Sequence, residues 1–171
     1  MLPDVPPPEV PPLPALELKM SHALRRSSML SGPHTPPTAS CVASEADRHA
    51  LDPLVLLAVL KVEGGKPGEL ALNRNGTFDL GPMSINTVWL PQLARRYQTS
   101  ESEIHRRLAS DGCTNVAAAA WILRGKINQA GSVWEGVASY HSNNPALQGR
   151  YLTRVHTQFE KIVRRFASGL R

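Results

Sequence analysis

The sequence predicts a mainly α-helical domain behind a proline-rich amino-terminal arm. Ten of the fifteen prolines in this 171-residue chain lie within the first forty residues, and PPPEVPPLP favours polyproline II. From about residue 38 the apolar residues recur at helical spacing, behind serine or aspartate caps. The βαβ alternation of nucleotide-binding folds is not seen in the sequence. We expect a disordered arm or linker over residues 1–37 and one domain over residues 38–171.

The first elements of the domain are two helices and a glycine-rich stretch. Ser40 fits the cap of a helix over CVASEADRHA. Asp52, before a proline, fits the start of a second helix that is apolar all round and ends at Glu63. Between residues 64 and 84 the glycines predict loops, with a small hairpin around Asn75-Gly76.

The rest of the domain is expected to be helical. Ser100 and Glu103 stand at the spacing of a capping box, and Gly131 fits a helix end. The predicted helices are INTVWLPQLARRY, interrupted near Pro91, then SESEIHRRLA, NVAAAAWILRGKINQAG, SVWEGVASY and, after a turn at HSNNPALQG, RYLTRVHTQFEKIVRRFASGL. The basic residues of the last helix fit a solvated face, and the alternative is a contact with anionic stem peptides, lipid or a secretion partner.

Charge and composition limit the partners of the chain. The net charge of +5 and the pI of about 9.6 suit an anionic partner. A nucleic acid is not expected, because no recognition helix or basic–aromatic pattern accompanies the charge. No membrane span is expected, because no uncharged apolar run approaches about 18 residues. No cofactor or metal is expected either, since no cysteine–histidine cluster has metal-ligand spacing.

The two cysteines and the amino terminus bear on the cellular compartment. Cys41 and Cys113 fit either two buried thiols or one disulfide, which would imply an oxidising compartment. The amino terminus lacks the apolar stretch of a secretory signal. The chain is therefore expected to be cytoplasmic, or to be exported by a signal that is not visible in this sequence.

Glu63 is the candidate for acid–base chemistry. It follows the apolar run LDPLVLLAVLKV and precedes two glycines. Burial and the carbonyl groups of a helix end both disfavour its charged form, so we expect its pKa to be raised, as a general acid for glycosidic cleavage requires. A carboxylate at a helix end also fits a salt bridge with Lys61 or Lys66. Most glycosidases need a second carboxylate, for which Asp79 is the nearest candidate.

Four segments, in order, carry a family resemblance. They are the apolar helix ending in VEGG, then NRNGTFDLGPMSIN, DGCTNVAAAAWIL and ASYHSNNPALQGRYLTRV. Together they resemble the lytic transglycosylases of the lysozyme superfamily, which have a goose-lysozyme-like (SLT) fold. The specialised members that serve secretion, conjugation and pilus systems are the most similar. The resemblance implies a mainly α, lysozyme-like domain, with the small hairpin near the active site.

The resemblance also implies roles for particular residues. Glu63 matches the single catalytic acid of the family, and Tyr140 matches its active-site tyrosine. Cys41 and Cys113 match the disulfide of the secretion-associated members. The remaining substrate-binding positions fall on two motifs, DLGPMSIN and ASYHS: Gly81, Met83, Ser84, Asn86, His141 and Ser142. From the residues alone, Met83 equally fits the core and Asn86 a helix cap.

The reaction implied is cleavage of peptidoglycan glycan strands without water as nucleophile. Glu63 would protonate the departing oxygen and then take the proton of the sugar's own C6 hydroxyl, which attacks the anomeric carbon. The product is a 1,6-anhydro sugar. A peptidoglycan substrate, a periplasmic location and partners in a secretion, conjugation or pilus apparatus follow from the same resemblance.

The sequence departs from the family pattern in several places. Gly64 stands where the family has serine, Pro82 and Ser84 replace leucine and glutamine, and His141 replaces asparagine. These changes remove hydrogen-bonding groups near the acid. Two alternatives stay open: a muramidase that hydrolyses the same bond, with Asp79 as second carboxylate, and a non-catalytic peptidoglycan-binding scaffold.

Overall fold

The computed structural model describes residues 28–29 and 32–169. The helices in chain order are α1 (Ala39–Arg48), α2 (Pro53–Glu63), α3 (Leu90–Arg96), α4 (Glu101–Ser110), α5 (Gly112–Ala130), α6 (Val133–His141) and α7 (Pro145–Gly169). A short 3₁₀ helix (Thr87–Trp89) precedes α3. The strands are β1 (Ser28–Met29), β2 (Glu69–Leu72), β3 (Phe78–Leu80) and β4 (Ile85–Asn86). The mainly helical, lysozyme-like fold predicted from the sequence is confirmed.

The described residues form two compact units. The first contains residues 39–63 and 119–169, and the second contains residues 28–29, 32–38 and 64–118. Helix α5 contributes to both, since its first turns belong to the second unit and its remainder to the first.

The first unit is helical. Helix α7 packs against α2 and α6. Asp52 caps α2 as predicted, because its Oδ1 accepts a hydrogen bond from the Leu54 N–H at 2.7 Å. Helix α2 buries residues around much of its circumference, so it is central to this unit. The unit's core includes Leu56, Val59, Leu123, Val137 and Val155, each with no exposed surface.

The second unit combines a small antiparallel sheet with α3, α4 and the start of α5. The strand order is β1-β2-β3-β4, and Leu70 pairs with Leu80 across β2 and β3. The predicted hairpin is confirmed: its loop turns at Gly76, whose φ of +82° lies in the left-handed region that favours glycine. The core includes Leu80, Met83, Leu93, Ile104 and Leu108, all fully buried.

Helix α7 begins earlier than the sequence predicts. The predicted turn over HSNNPALQG is wrong for residues 145–149, because these residues are the beginning of α7. Asn144 caps this helix, since its Oδ1 accepts the Ala146 N–H at 3.0 Å. Pro145 suits the first helical position, where no N–H is needed. The polar residues of this segment are therefore a helix start and not a loop.

Three smaller expectations also need correction. The predicted helix INTVWLPQLARRY is divided near Pro91 as expected, where the 3₁₀ helix gives way to α3, but its first two residues form strand β4 instead of helix. Ser40 lies inside α1 and not at its cap. Ser100 caps α4 as predicted, but the Glu103 carboxylate pairs with Arg106 instead of completing a capping box.

Most of the predicted arm lies outside the described residues. Its last residues, 32–37, are described and belong to the second unit. Thr35 forms a parallel bridge with Asp111, and its carbonyl accepts the Gly112 N–H at 2.8 Å.

The two cysteines, Cys41 and Cys113, are disulfide-bonded. The disulfide prediction is therefore confirmed. Across the part of the chain that the structure describes, no helix is long and apolar enough to span a membrane.

Candidate active site

Glu63 is the last residue of α2. Its side chain is half-buried, at the end of a helix in which five of the other ten residues are buried. Gly64 follows with φ of +63°, the left-handed conformation that commonly terminates helices. The first of the two glycines is therefore explained by the helix end that presents Glu63. A Cβ on Gly65 would lie 2.2 Å from the Gly81 carbonyl oxygen, so the second glycine allows two backbone segments to approach.

Tyr151 holds the Glu63 carboxylate. Its hydroxyl donates a hydrogen bond of 2.6 Å to Glu63 Oε1, from helix α7. Only 2% of Tyr151 is exposed. Burial raises the pKa of Tyr151 well above its usual value, and the nearby negative charge of Glu63 and their hydrogen bond raise it further. The hydroxyl therefore stays protonated and acts as a donor to the carboxylate.

This hydrogen bond was not anticipated from the sequence. From the sequence we expected burial and the helix end to disfavour an ionised Glu63. A hydroxyl that donates to the carboxylate acts in the opposite direction, because it stabilises the ionised form. The charge state of Glu63 is therefore subject to influences of both signs.

Tyr140 and His141 lie beside Tyr151. The rings of His141 and Tyr151 stack, with centroids 4.5 Å apart and planes at 3°. Tyr140 is near enough to raise the pKa of Tyr151 further by electrostatic interaction. Three of the predicted residues, Glu63, Tyr140 and His141, are therefore gathered around one tyrosine. The stacked histidine restricts the orientation of the Tyr151 ring, and hence of its hydroxyl.

Ser142, the third predicted residue of this motif, lies at the end of α6. Its Oγ accepts the Asn144 N–H at 3.1 Å, and its carbonyl accepts a hydrogen bond from Gln148 at 2.9 Å. These contacts connect α6 to the start of α7. Ser142 thus stabilises the turn between α6, which carries Tyr140 and His141, and α7, which carries Tyr151.

The predicted residues of the DLGPMSIN motif lie in the second unit. Gly81 has φ of +63°, and a Cβ there would lie 2.6 Å from the Leu108 carbonyl oxygen. Met83 is fully buried, so its side chain belongs to the core of this unit. Ser84 adopts φ of +50°, which is uncommon for a residue other than glycine, and its N–H donates to the Gly81 carbonyl at 3.1 Å.

Asn86 and Asp79 form a polar pair in the same unit. Asn86 Nδ2 donates to Asp79 Oδ1 and to Thr77 Oγ1, each at 2.9 Å. Asn86 Oδ1 accepts the Val88 N–H, so this residue caps the 3₁₀ helix as the sequence allowed. The Asp79 carboxylate therefore accepts a hydrogen bond from the side-chain amide of its partner on the neighbouring strand.

Asn115 fixes the shape of the DLGPMSIN segment. It is fully buried at the start of α5, and its Oδ1 accepts the Met83 N–H at 2.7 Å. Its Nδ2 donates to the carbonyls of Leu80 and Leu108, each at 2.8 Å. One side chain thus satisfies backbone groups on both sides of the Gly81 turn. The sequence analysis quoted the segment that contains Asn115 without identifying this role.

Within the described ranges no group of three or more histidine, cysteine, aspartate or glutamate side chains could hold a metal ion. The residues around Glu63 offer a carboxylate, hydroxyl groups, an imidazole and a guanidinium. The chemistry available to them is proton transfer and hydrogen bonding to a substrate.

The mainly helical, lysozyme-like fold defines the class of domain, and the family comparison agrees. A family model described as "Transglycosylase SLT domain" matches residues 40–160, so the chain belongs to the lytic transglycosylase SLT family. The family acts on peptidoglycan. The resemblance inferred from the four sequence segments is confirmed.

Among individual proteins, the chain is similar to the invasion protein IagB of Salmonella. The proteins of Salmonella typhimurium strain LT2 and of Salmonella typhi are each 27% identical to it over 129 residues. The matched region covers 72% of this chain and 78% of each relative.

Proposed function

We propose that the protein is a peptidoglycan lytic transglycosylase with Glu63 as its single acid and base. The bond cleaved is the β-1,4 linkage between N-acetylmuramic acid and N-acetylglucosamine. The observation that carries the proposal is the 2.6 Å hydrogen bond from the buried Tyr151 hydroxyl to Glu63 Oε1. It presents one carboxyl group, at the end of a core helix, in a fixed orientation.

The reaction proceeds in two proton transfers. Glu63 first donates its proton to the glycosidic oxygen, and the bond from that oxygen to the anomeric carbon breaks as positive charge develops on the sugar. The ionised carboxylate then removes the proton of the C6 hydroxyl of the same sugar. That oxygen attacks the anomeric carbon and closes a 1,6-anhydro ring. Tyr151 occupies Oε1, so the transferred proton is carried on Oε2.

The second step depends on Tyr151. The hydroxyl stabilises the carboxylate that exists only after the first proton has left. A substrate hydroxyl held near the anomeric carbon has a high effective concentration compared with an outside nucleophile. One carboxylate therefore serves both steps, and the scheme needs no second one.

The similarity to invasion proteins supports a role beside a macromolecular apparatus. In this proposal the protein acts in the periplasm and opens the wall locally for a secretion, conjugation or pilus apparatus. The disulfide between Cys41 and Cys113 supports an oxidising compartment of this kind.

The products of digestion test the reaction. Purified sacculi are incubated with the protein, and the soluble fragments are analysed by mass spectrometry. The proposal expects muropeptides that end in 1,6-anhydro-N-acetylmuramic acid. Fragments with reducing ends, heavier by one water, would instead identify a muramidase and direct attention to Asp79. Binding to sacculi without any released fragment would identify a non-catalytic scaffold and overturn the proposal.

A further inference from the structure

Two arginines of α7 flank the tyrosine that holds Glu63. Arg150 and Arg154 are four residues apart, so they share one face of the helix, and both are exposed. The Arg154 Nη2 donates a hydrogen bond of 2.9 Å to the carbonyl of Val62, the residue before Glu63. The charge of Arg154 also acts on the Tyr151 hydroxyl, since it opposes the upward shift in the pKa of Tyr151. A positive charge therefore lies close to the Glu63–Tyr151 pair.

Neither arginine has an acidic partner among residues 28–29 and 32–169. Other arginines of the chain form ion pairs with a glutamate one helical turn away. Arg164, for example, lies 3.2 Å from Glu160 on the same helix. Arg150 and Arg154 instead place like charges one turn apart, which destabilises a helix. They also lie in the first half of α7, away from the carboxyl end where the helix dipole would favour cations.

The hydrogen bond to the Val62 carbonyl explains only part of the role of the Arg154 side chain. It satisfies one carbonyl in the last turn of α2, which is a structural role. A guanidinium carries five N–H donors, and this hydrogen bond uses one of them. Arg150 has no such structural contact. Helix stability therefore does not explain why two exposed cations stand here, since like charges at this spacing destabilise a helix.

We infer that Arg150 and Arg154 form an anion subsite beside Glu63, which binds a carboxylate carried by the lactyl group of the substrate's muramic acid. This inference rests on the proposed function. The amino sugars themselves are uncharged, whereas the peptide stem attached to the lactyl group carries carboxylates. A residue whose stem has been removed carries the lactyl carboxylate itself. The guanidinium fork matches the two oxygens of a carboxylate.

The subsite gives the enzyme a preference among glycans. A strand of N-acetylglucosamine alone, without lactyl groups, offers no anion to the two arginines. A muramic acid bound next to Glu63 offers one. The arginines thus favour the sugar whose C6 hydroxyl forms the anhydro ring, and they orient it from the lactyl side.

Binding to the Glu63→Gln protein tests the subsite without turnover. Three glycans of equal length are compared by calorimetry: peptide-bearing oligomers, the same oligomers stripped by an amidase, and chitooligosaccharides. We expect a carboxylate-bearing glycan to bind about threefold to tenfold more tightly than the chitooligosaccharide. The advantage decreases as the salt concentration rises. Tighter binding of peptide-bearing oligomers than of stripped ones assigns the carboxylate to the stem. Tighter binding of the stripped oligomers assigns it to the lactyl group, whose carboxyl is ionised only after the stem has been removed.

Arg150→Gln, in the same Glu63→Gln background, removes most of this advantage, while chitooligosaccharide binding stays unchanged. Arg150→Lys retains part of it, because the charge remains but the fork is lost. Arg165→Gln is the matched control: it removes one exposed charge from the same helix, about 22 Å further along its axis. An Arg150→Gln protein that binds all three glycans as its parent does would overturn the inference.

The failure of this inference is distinguishable from failure of the proposed function. If sacculi release anhydro-muropeptides and Arg150→Gln changes no affinity, the enzyme assignment stands and the subsite is refuted. If no fragments are released but the carboxylate preference persists and depends on Arg150, the reaction is refuted and the subsite stands.

Discussion

Replacing Tyr151 by phenylalanine removes one oxygen atom from the candidate site and leaves the ring stacked on His141 in place. The lost contact is the 2.6 Å hydrogen bond from the Tyr151 hydroxyl to the Glu63 carboxylate. Tyr151 is only 2% exposed, so water has little access to its side of this contact. Hydrogen bonds to charged groups contribute about 1.5–3 kcal/mol. If that amount is lost when the carboxylate is ionised in the reaction, cleavage slows by roughly 10- to 150-fold.

The assay is the initial rate at which sacculi release soluble anhydro-muropeptides, measured at several pH values. In the Tyr151→Phe protein the ionised Glu63 carboxylate loses a donor, which disfavours its ionised form. Because the reaction starts from protonated Glu63, the alkaline limb of the pH–rate profile should move to higher pH. Tyr97→Phe is the control, because it makes the same chemical change on a half-buried tyrosine of the second unit. Its rate and profile should match the wild type.

Two results would refute the reasoning. One is a Tyr151→Phe protein, folded as judged by its melting temperature, that cleaves within twofold of the wild type. The other is a slower enzyme with an unmoved pH profile, which would mean that Tyr151 contributes to packing and not to the state of Glu63.

Three further predictions concern stability. Asn115→Ala breaks three buried hydrogen bonds, so we expect a loss of about 3 kcal/mol or more in urea unfolding, and a loss below about 1 kcal/mol would contradict the structural role given to it. Serine at both Cys41 and Cys113 should lower the unfolding free energy by about 4 kcal/mol, and a wild-type midpoint that is insensitive to reductant would argue against this. The pKa of Tyr151 is raised by burial, then by Glu63, above an unfolded value of about 10. Its protonated hydroxyl therefore contributes stability that is fully present below about pH 10 and declines as the pH rises further. The melting temperature of Tyr151→Phe should fall less steeply above pH 10 than that of the wild type, and parallel curves would contradict the assignment.

Local signals in the sequence were sufficient for some elements. Helix α2 has a strong start signal at Asp52 and a glycine directly after Glu63, and both of its ends fall where expected. The hairpin turn at Asn75-Gly76 is similarly fixed by residues that tolerate tight turns. In each case the information lies within a few residues of the feature.

Elements with weak or conflicting local signals were misjudged. The segment before Arg150 is polar and contains a proline, which is typical of a turn. Here Asn144 and Pro145 are a cap and a first helical residue, and the following residues continue into α7. The two-residue strand β4 is formed by pairing with β3, so its sequence alone could not distinguish it from the start of a helix.

The candidate site was found only in part for a related reason. Glu63 is visible because a carboxylate at the end of an apolar run is unusual locally. Tyr151 does not stand out by that criterion, because it contributes to the site through a hydrogen bond to Glu63, which is 88 residues away in the chain. Asn115 likewise bonds to Met83, 32 residues distant. The arginines beside Tyr151 were interpreted as a solvated face, and the contact of Arg154 with Val62 emerges only in the folded chain.

The most direct test of the central claim compares Glu63→Gln with the wild type in the release of anhydro-muropeptides from sacculi. Glu101→Gln, which makes the same change at an exposed position of α4, is the control. We predict that Glu63→Gln releases no anhydro-muropeptide while still binding sacculi, and that Glu101→Gln matches the wild type. Sustained release by a folded Glu63→Gln protein would contradict the account, because the proton would then be carried by another group.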